Sequence, residues 1–126
     1  VDDPYGEGQY VAFPAIYPDV FVVHALQADR QGNAHVGRNQ AVDLELGLAS
    51  QCVIVTAEAV VERIEGPVEI NSLRVDAVVH APNGAWPTSC HPFYPVDGRE
   101  IMRYGERCPD GFADYLASFL AGEGQL

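Results

Sequence analysis

The sequence predicts an α/β domain with a mostly parallel sheet flanked by helices. Two observations support this fold class. Three short segments are rich in β-branched and apolar residues, as strands are when both their faces are covered: Val20–Ala25, Cys52–Thr56 and Ala77–His80. Segments with helical spacing alternate with these strands, and such alternation is typical of parallel sheets with helical crossovers.

The segments between and after these strands predict the remaining elements. Helices are expected over residues 41–50, 57–64, 98–107 and 110–120, and short extended pieces over 10–15, 34–37 and 68–70. Leucine and alanine surround most of the first helix, which indicates that it is largely buried. Asp110 is expected to cap the last helix. Gly32-Asn33 indicates a tight turn, across which Asp29 or Arg30 is expected to bond.

The length of 126 residues predicts a single domain. Residues 1–9 are acidic and contain proline and glycine, so we expect an extended arm or linker there. The α/β domain is expected over 10–121, followed by a frayed tail at 122–126. Because the chain begins with Val1 and not Met, its start resembles a processed end or the middle of a longer protein.

Charge and cysteine content argue against several classes of partner. The formal charge is −11, with eighteen acidic and seven basic residues, so nucleic acid is not an expected partner. The three cysteines are odd in number and lack CxxC spacing, which predicts neither a disulfide framework nor a zinc site. The reducing cytoplasm is the expected location. No apolar run is long enough to suggest a membrane span.

A ligand crevice is expected at the carboxyl ends of the parallel strands. Three segments lie at or beyond these ends: Ala25–Asn33, Thr56–Glu58 and Pro82–Tyr94. The last of them is a proline-rich loop that holds Trp86, Cys90, His91 and Tyr94. The three loops are expected to converge, although the sequence does not give the strand order.

Two charged positions near this crevice have alternative interpretations. Glu58 is either a nucleophilic or acid–base carboxylate, or a helix N-terminal glutamate favoured by the helix dipole, and composition favours the second. Arg38-Asn39 either binds an anion at the start of a helix or forms a solvated turn, and composition again favours the second.

Metal and nucleophilic sites are not predicted. Cys90 and His91 are adjacent, so in an extended chain their side chains point to opposite faces and a packed cysteine is favoured over a thiolate–imidazole pair. His24 is interpreted as a core histidine, and His35 and His80 lack partners at metal-site spacing. The nucleotide motifs GxGxxG and GxxxxGK[ST] and the hydrolase motif GxSxG are absent.

Several short motifs occur in an order shared with a known family. They are Pro14-Ala15, Pro18-Asp19-Val20, His24-Ala25 and Ala28–Asn33, followed by Asp43–Ala49, Val53–Glu58, Val75–Val79 and Ala81–Cys90. The first four resemble the PA…PDV…HA…ADRxGN signature of family I coenzyme A transferases, in the α (A) subunit of the glutaconate CoA-transferase-like branch. The resemblance covers about Pro4 to Tyr104.

Two departures from the family pattern fall on the predicted crevice. Trp86 stands where the family usually has the histidine of GAHPTSC, and AHVGRNQ follows Gly32-Asn33 where a bulkier segment is common. These departures keep open a change of substrate or of reaction.

The resemblance implies a ping-pong transfer on a coenzyme A thioester, without a permanently bound cofactor. A glutamate attacks the thioester, forms an acyl anhydride and then a glutamyl-CoA thioester, and passes CoA to a second carboxylate. In this family that glutamate belongs to the B subunit, so no catalytic residue is assigned here and Glu58 is only a candidate. The residues expected to contact the substrate are Arg38, Asn39, Gly84, Trp86, Thr88, Ser89 and Tyr94.

The resemblance also implies partner chains. The α subunits of the family are longer, and these residues resemble only their carboxyl-terminal half, so the amino-terminal half is expected on another chain, lost or cut away. A B-type subunit is the other expected partner. Two alternatives stay open: a decarboxylase or hydrolase of the same fold acting on CoA thioesters, and a non-catalytic structural subunit.

Overall fold

The computed structural model describes residues 1–38 and 40–122. Its centre is a four-stranded sheet with the order β2-β1-β3-β4. The strands are β1 (Val20–Asp29), β2 (Ala34–His35), β3 (Cys52–Val61) and β4 (Ala77–His80). β1 pairs in parallel with β3 and β3 in parallel with β4, whereas β2 is antiparallel to β1. The predicted α/β class with a mostly parallel sheet is confirmed.

One face of the sheet carries the hydrophobic core. Val53, Val55 and Ala57 of β3 are buried, as are Val23 and Ala25 of β1. These residues alternate along their strands, as the two-residue period of a strand requires. Fully burying a valine side chain contributes roughly 1.5–3 kcal/mol, so Val53 and Val55 are a substantial part of this core.

The opposite face of the sheet is largely uncovered in the chain by itself. Val20 and Val22 of β1 are 52% and 57% exposed, and Val79 of β4 is 45% exposed. The expectation of strands covered on both faces therefore holds for one face only. β4 is an edge strand, and none of its four residues is buried.

The predicted helix over 57–64 is wrong, because β3 continues as a strand to Val61. Ala57 pairs with Ala25, and Val61 pairs with Asp29. Pairing with a long neighbouring strand outweighs a weak helical pattern, and β-branched residues such as Val60 and Val61 suit a strand. Glu58 consequently lies within β3 and not at the start of a helix.

The helices differ from the predictions mainly at their amino ends. α1 (Asp43–Ala49) is shorter than predicted, and only Gly47, which lies against the Phe21 ring, is buried. Leu44 and Leu48 are exposed, so the prediction of a buried helix is wrong for this chain alone. α2 (Gly98–Arg107) has the predicted bounds, whereas α3 (Phe112–Leu120) begins two residues later than expected.

Capping explains how the two carboxyl-terminal helices begin. The Asp97 carboxylate accepts hydrogen bonds from the backbone N–H groups of Arg99 and Glu100 and so caps α2. The predicted cap of α3 is wrong, because its N-cap is Gly111, without a side-chain hydrogen bond, and not Asp110. α2 and α3 contact each other through Tyr115, whose hydroxyl donates to Glu100 Oε1 at 2.9 Å.

The turn after β1 is organised by Asp29 as predicted. Its buried carboxylate accepts hydrogen bonds from the backbone N–H of Gln31 and from both the backbone and side-chain N–H of Asn33. Gly32 has a φ of +103°, which a residue with a side chain rarely adopts. Hydrogen bonding outweighs burial and lowers the pKa of Asp29, so the carboxylate is ionised at neutral pH.

The two chain ends agree only partly with prediction. Residues 1–9 form a small loop closed by an isolated bridge between Asp2 and Gln9, and the predicted extended piece over 10–15 is not part of a strand. Of the predicted extended piece at 68–70, Ile70 alone forms a bridge, to Ala34. Most of the predicted tail, residues 123–126, lies outside the described residues.

Among the described residues, no helix is both long enough and apolar enough to cross a membrane.

Candidate functional site

Glu58 is the centre of a hydrogen-bonded cluster on the less covered face of the sheet. In the parallel pairing of β1 and β3, His24 lies directly opposite Thr56, so the two side chains project from the same face. Glu58 follows two residues after Thr56 and therefore shares that face. The loop over residues 81–97, which we call the site loop, runs from β4 to α2 and brings Tyr94 to the same place.

Three donors converge on the Glu58 carboxylate. His24 Nε2 lies 2.7 Å from Oε1, and the Tyr94 hydroxyl donates to the same oxygen at 2.5 Å. The backbone N–H of Asn83 donates to Oε2 at 2.9 Å. We call His24, Thr56, Glu58 and Tyr94 the glutamate network. It joins two central strands to the site loop.

The electrostatics of the network favour an ionised carboxylate and a neutral phenol. Burial raises the pKa of Glu58, but the hydrogen bonds from Tyr94, the Asn83 N–H and His24 together outweigh it, and the pKa lies below its usual value. Burial and the hydrogen bond to Glu58 raise the pKa of Tyr94 well above that of a free phenol. Tyr94 therefore donates and Glu58 accepts.

His24 is held on both sides of its ring. Nδ1 lies 2.8 Å from Thr56 Oγ1, whose single hydroxyl proton also has the carbonyl of Val23 within reach at 3.3 Å. An ionised carboxylate only accepts, so we assign a proton to Nε2, which faces Glu58. Both ring nitrogens of His24 therefore have partners, as expected of a satisfied histidine, and the ring is fixed in orientation. The ring is only partly buried and lies opposite the hydrophobic core, so the interpretation of His24 as a core histidine is wrong in that respect.

Cys90 is the buried thiol beside this network. Its sulfur, a ring nitrogen of His24 and a Glu58 oxygen all lie within 4.8 Å of one another. Burial and, next, the charge of Glu58 raise the pKa of the Cys90 thiol. His91 is exposed whereas Cys90 is buried, so the imidazole close to the thiol is that of His24. Spacing along the sequence does not predict this neighbour.

A cavity of about 390 Å³ opens beside the network, and we call it the network cavity. Its polar lining residues are His24, Arg38, Ser89, Cys90 and His91, and its apolar ones are Leu26, Val36 and Ala85. A second cavity of about 720 Å³ shares Leu26, Arg38 and His91 with it. The two cavities are therefore neighbours, and we call them together the groove beside the network.

Only some of the predicted substrate-binding residues line this groove. Arg38 and Ser89 do, and Asn39 lies outside the described residues. The helix after Arg38 begins only at Asp43, and Arg38 is exposed in a loop before it. This placement agrees with the favoured interpretation, a solvated turn, rather than with an anion site at the start of the helix.

The other predicted residues shape the site loop. Gly84 lies so close to His24 that an added Cβ would meet the ring at 2.9 Å, which explains the need for glycine there. The Thr88 hydroxyl is bonded within the loop to the carbonyl of Ala85. Trp86 stacks on Phe119 of α3 with ring centroids 5.3 Å apart, so it packs the loop against the helix and does not line the network cavity.

The three predicted crevice loops do not form one cavity. Asp29, Gln31 and Asn33 line a separate cavity of about 940 Å³ together with residues 62–66, Val68 and Asn71. The Asp29 carboxylate does not offer a free acceptor to this cavity, because it accepts hydrogen bonds from Gln31 and Asn33 of its own turn. The segment that contains Glu58 and the site loop do converge, as predicted, whereas the β1–β2 turn lies apart.

The glutamate network is a feature that the sequence patterns do not predict. The apolar runs place His24 and Thr56 in buried strands, and the weak helical spacing places Glu58 in a helix. The sequence does contain one relevant pattern: His24, Thr56 and Glu58 are polar residues within otherwise apolar strands. Parallel pairing places such residues side by side on one face of the sheet.

Comparisons with known proteins agree with this architecture. The chain is 34% identical over 97% of its length to the A subunit of 3-oxoadipate CoA-transferase from Pseudomonas knackmussii, and 34% identical over 82% to the A subunit of glutaconate CoA-transferase from Acidaminococcus fermentans. The solved structure of the latter organism's glutaconate coenzyme A-transferase matches 97% of the chain with a TM-score of 0.80 and 28% identity. The chain is a homologue of CoA-transferase α subunits of the glutaconate CoA-transferase type.

Homologues that are named for other reactions are about as similar to this chain as the two transferase subunits are. The structure of the decarboxylase AibA/AibB matches 96% of the chain with a TM-score of 0.82 and 34% identity. The cholesterol ring-cleaving hydrolase IpdA subunit of Rhodococcus jostii is 32% identical over 89% of the chain. The chain spans 45% and 34% of the two transferase subunits and 41% of the hydrolase subunit. No protein-family model matches it.

Proposed function

We propose that the chain is one subunit of an acyl-CoA:carboxylate CoA-transferase and forms part of its acyl-CoA crevice. One observation carries this proposal: two transferase α subunits share 34% identity with the chain over 97% and 82% of its length. The groove beside the glutamate network supports it, because it has the mixed apolar and polar lining that small-molecule sites generally have.

In this proposal the nucleophile is a glutamate of a B-type partner chain. The Glu58 carboxylate makes hydrogen bonds with His24 and with Asn83 and Tyr94 of the site loop. Its role in this proposal is therefore to position that loop and the His24 ring. Arg38 and Ser89 then contact the substrate from the groove.

The substrate is proposed to be a coenzyme A thioester, and the transfer needs no permanently bound cofactor. The partner glutamate attacks the acyl carbon, and CoA leaves as the thiolate. The thiolate then attacks the glutamyl carbonyl of the anhydride and releases the acyl group as a carboxylate, which leaves a glutamyl-CoA thioester. The acceptor carboxylate takes CoA from this thioester by the reverse of these two steps. The described cysteines are all unpaired, which is consistent with a cytoplasmic enzyme.

Trapping the covalent intermediate tests this proposal. The native complex is incubated with an acyl-CoA and then with borohydride, which reduces a glutamyl thioester. Peptide mass spectrometry is expected to find the reduced residue on a partner glutamate. Label on Glu58, or a monomeric chain without partners in native mass spectrometry, would contradict the proposal.

The second candidate function is a decarboxylase or hydrolase acting on CoA thioesters. The similarity to AibA/AibB and to the cholesterol ring-cleaving hydrolase favours it, as does the His24–Glu58 pair beside the network cavity. In that case the imidazole is the group placed to move a proton. Release of carbon dioxide or free CoA at full rate without an acceptor acid would support this candidate over transfer.

A further inference from the structure

We propose that His24, Glu58 and Cys90 bind one divalent metal ion of the zinc class. The three side chains come from β1, β3 and the site loop, and their donor atoms all lie within 4.8 Å of one another. They supply a nitrogen, an oxygen and a sulfur donor, and the network cavity borders two of them. This inference does not rest on the CoA-transferase proposal.

The distances require only a small adjustment. Zinc binds nitrogen and oxygen at roughly 2.0–2.2 Å and sulfur at about 2.3 Å, so tetrahedral donor atoms lie roughly 3.3–3.8 Å apart. His24 Nε2 and Glu58 Oε1 are now 2.7 Å apart and would separate, while the Cys90 sulfur would approach. Small movements of the three side chains therefore place an ion between them.

Hydrogen bonds already orient two of the three ligands. Thr56 Oγ1 holds His24 Nδ1 at 2.8 Å, so the other ring nitrogen points at the proposed ion. The Asn83 N–H holds Glu58 Oε2 at 2.9 Å, so Oε1 is the oxygen offered to the ion, which would take the place of its present contact with His24. Such outer partners fix the tautomer and direction of metal ligands in proteins. Tyr94 would remain bonded to the carboxylate.

The balance of protons and charges is consistent with a 2+ ion. The Cys90 thiol releases its proton to solvent, and the His24 proton moves from Nε2 to Nδ1, where it donates to Thr56. The thiolate and the Glu58 carboxylate then carry two negative charges that balance the ion. Arg38 is the cationic side chain at the same cavity, and it is exposed.

The donor set selects the class of metal. Magnesium and calcium prefer oxygen ligands, whereas an imidazole with a thiolate suits zinc or cobalt in tetrahedral geometry. The fourth position would face the network cavity and hold a water molecule. With the ion bound, the site loop would be fastened to the two central strands by metal bonds in addition to hydrogen bonds.

Cobalt titration of the natively assembled protein tests the site. We expect one Co²⁺ per chain, with visible absorption of a tetrahedral ion and a thiolate-to-cobalt charge-transfer band in the near ultraviolet. Cys90→Ser should remove the charge-transfer band, while the matched controls Cys52→Ser and Cys108→Ser should retain it. Zn²⁺ should displace the cobalt and abolish the spectrum.

Affinity measurements give a second readout. Thr56→Val keeps all three ligands but removes the partner of His24, so Zn²⁺ affinity measured against a chromophoric chelator should fall roughly 10–100-fold. Circular dichroism checks that each variant is folded. If the wild-type protein gives no thiolate band, or if Cys90→Ser leaves the spectrum unchanged, the proposal is overturned irrespective of any CoA-transferase activity.

Discussion

Tyr94 connects the site loop to the sheet through a single hydroxyl group. That hydroxyl donates to Glu58 and accepts the backbone N–H of Ala85. In Tyr94→Phe the N–H of Ala85 and one carboxylate site lose their partner, so we expect the free energy of unfolding at pH 7 to fall by about 1–3 kcal/mol. Urea denaturation measures the change. Tyr17→Phe is the control, because Tyr17 is exposed and should change stability by less than about 0.5 kcal/mol.

The lowered pKa of Glu58 makes part of the stability depend on pH. The folded-state pKa lies below the reference value of 4.5, so this contribution is fully present above about pH 4.5 and is lost as the pH falls through the folded-state value. Glu58→Gln removes the charge. We expect the stability difference between wild type and Glu58→Gln to be largest near pH 7 and to shrink progressively below pH 4.5 in urea titrations. A difference that grows on acidification would contradict this assignment.

Residue chemistry is only partly predictable from the sequence. The turn bonding of Asp29 follows from local rules, since its partners lie two and four residues away. The side-chain partners of Glu58 lie 34 and 36 residues away, so its surroundings depend on strand pairing that composition does not give. The ordered motifs predict the family without predicting this network.

At the scale of elements, helix capping provides a matched comparison between two aspartates. Asp97 accepts hydrogen bonds from two N–H groups at the start of α2, whereas Asp110 makes no cap to α3. We expect Asp97→Ala to lower the free energy of unfolding by about 1 kcal/mol. Asp110→Ala should change it by less than about 0.5 kcal/mol. Thermal unfolding followed by circular dichroism distinguishes them, and equal effects would show that the Asp97 cap is not stabilising.

The existence of strands is easier to predict than their length. The apolar runs at 20–25 and 52–56 are both strands, but each continues four or five residues further. The continuation includes Leu26, Gln27 and Glu58, which do not have a strand-like composition by themselves. The pairing of β1 with β3 keeps these residues extended, and such pairing is a tertiary effect.

At the scale of the whole molecule, one face of the sheet is largely uncovered. A mostly parallel sheet normally has both faces covered, yet Val20, Val22 and Val79 remain about half exposed here. The transferase homologues are named as subunits, and the chain spans less than half of each. A partner chain or a further protein segment packed on this face would cover these valines and would lie beside the glutamate network.

Substitution on that face tests whether a partner chain covers it. Val22→Lys places a charge on a side chain that is 57% exposed, opposite Ile54, so we expect the chain alone to keep its fold. In the complex the ammonium would be buried without a counter-charge, which is strongly unfavourable, and association should weaken at least about tenfold. Leu73→Lys is the control, since Leu73 is 90% exposed in the short 3₁₀ turn Ser72–Arg74, outside the four strands. Native mass spectrometry at several concentrations gives the assembled fraction, and undiminished assembly of Val22→Lys would mean that no partner chain covers this face.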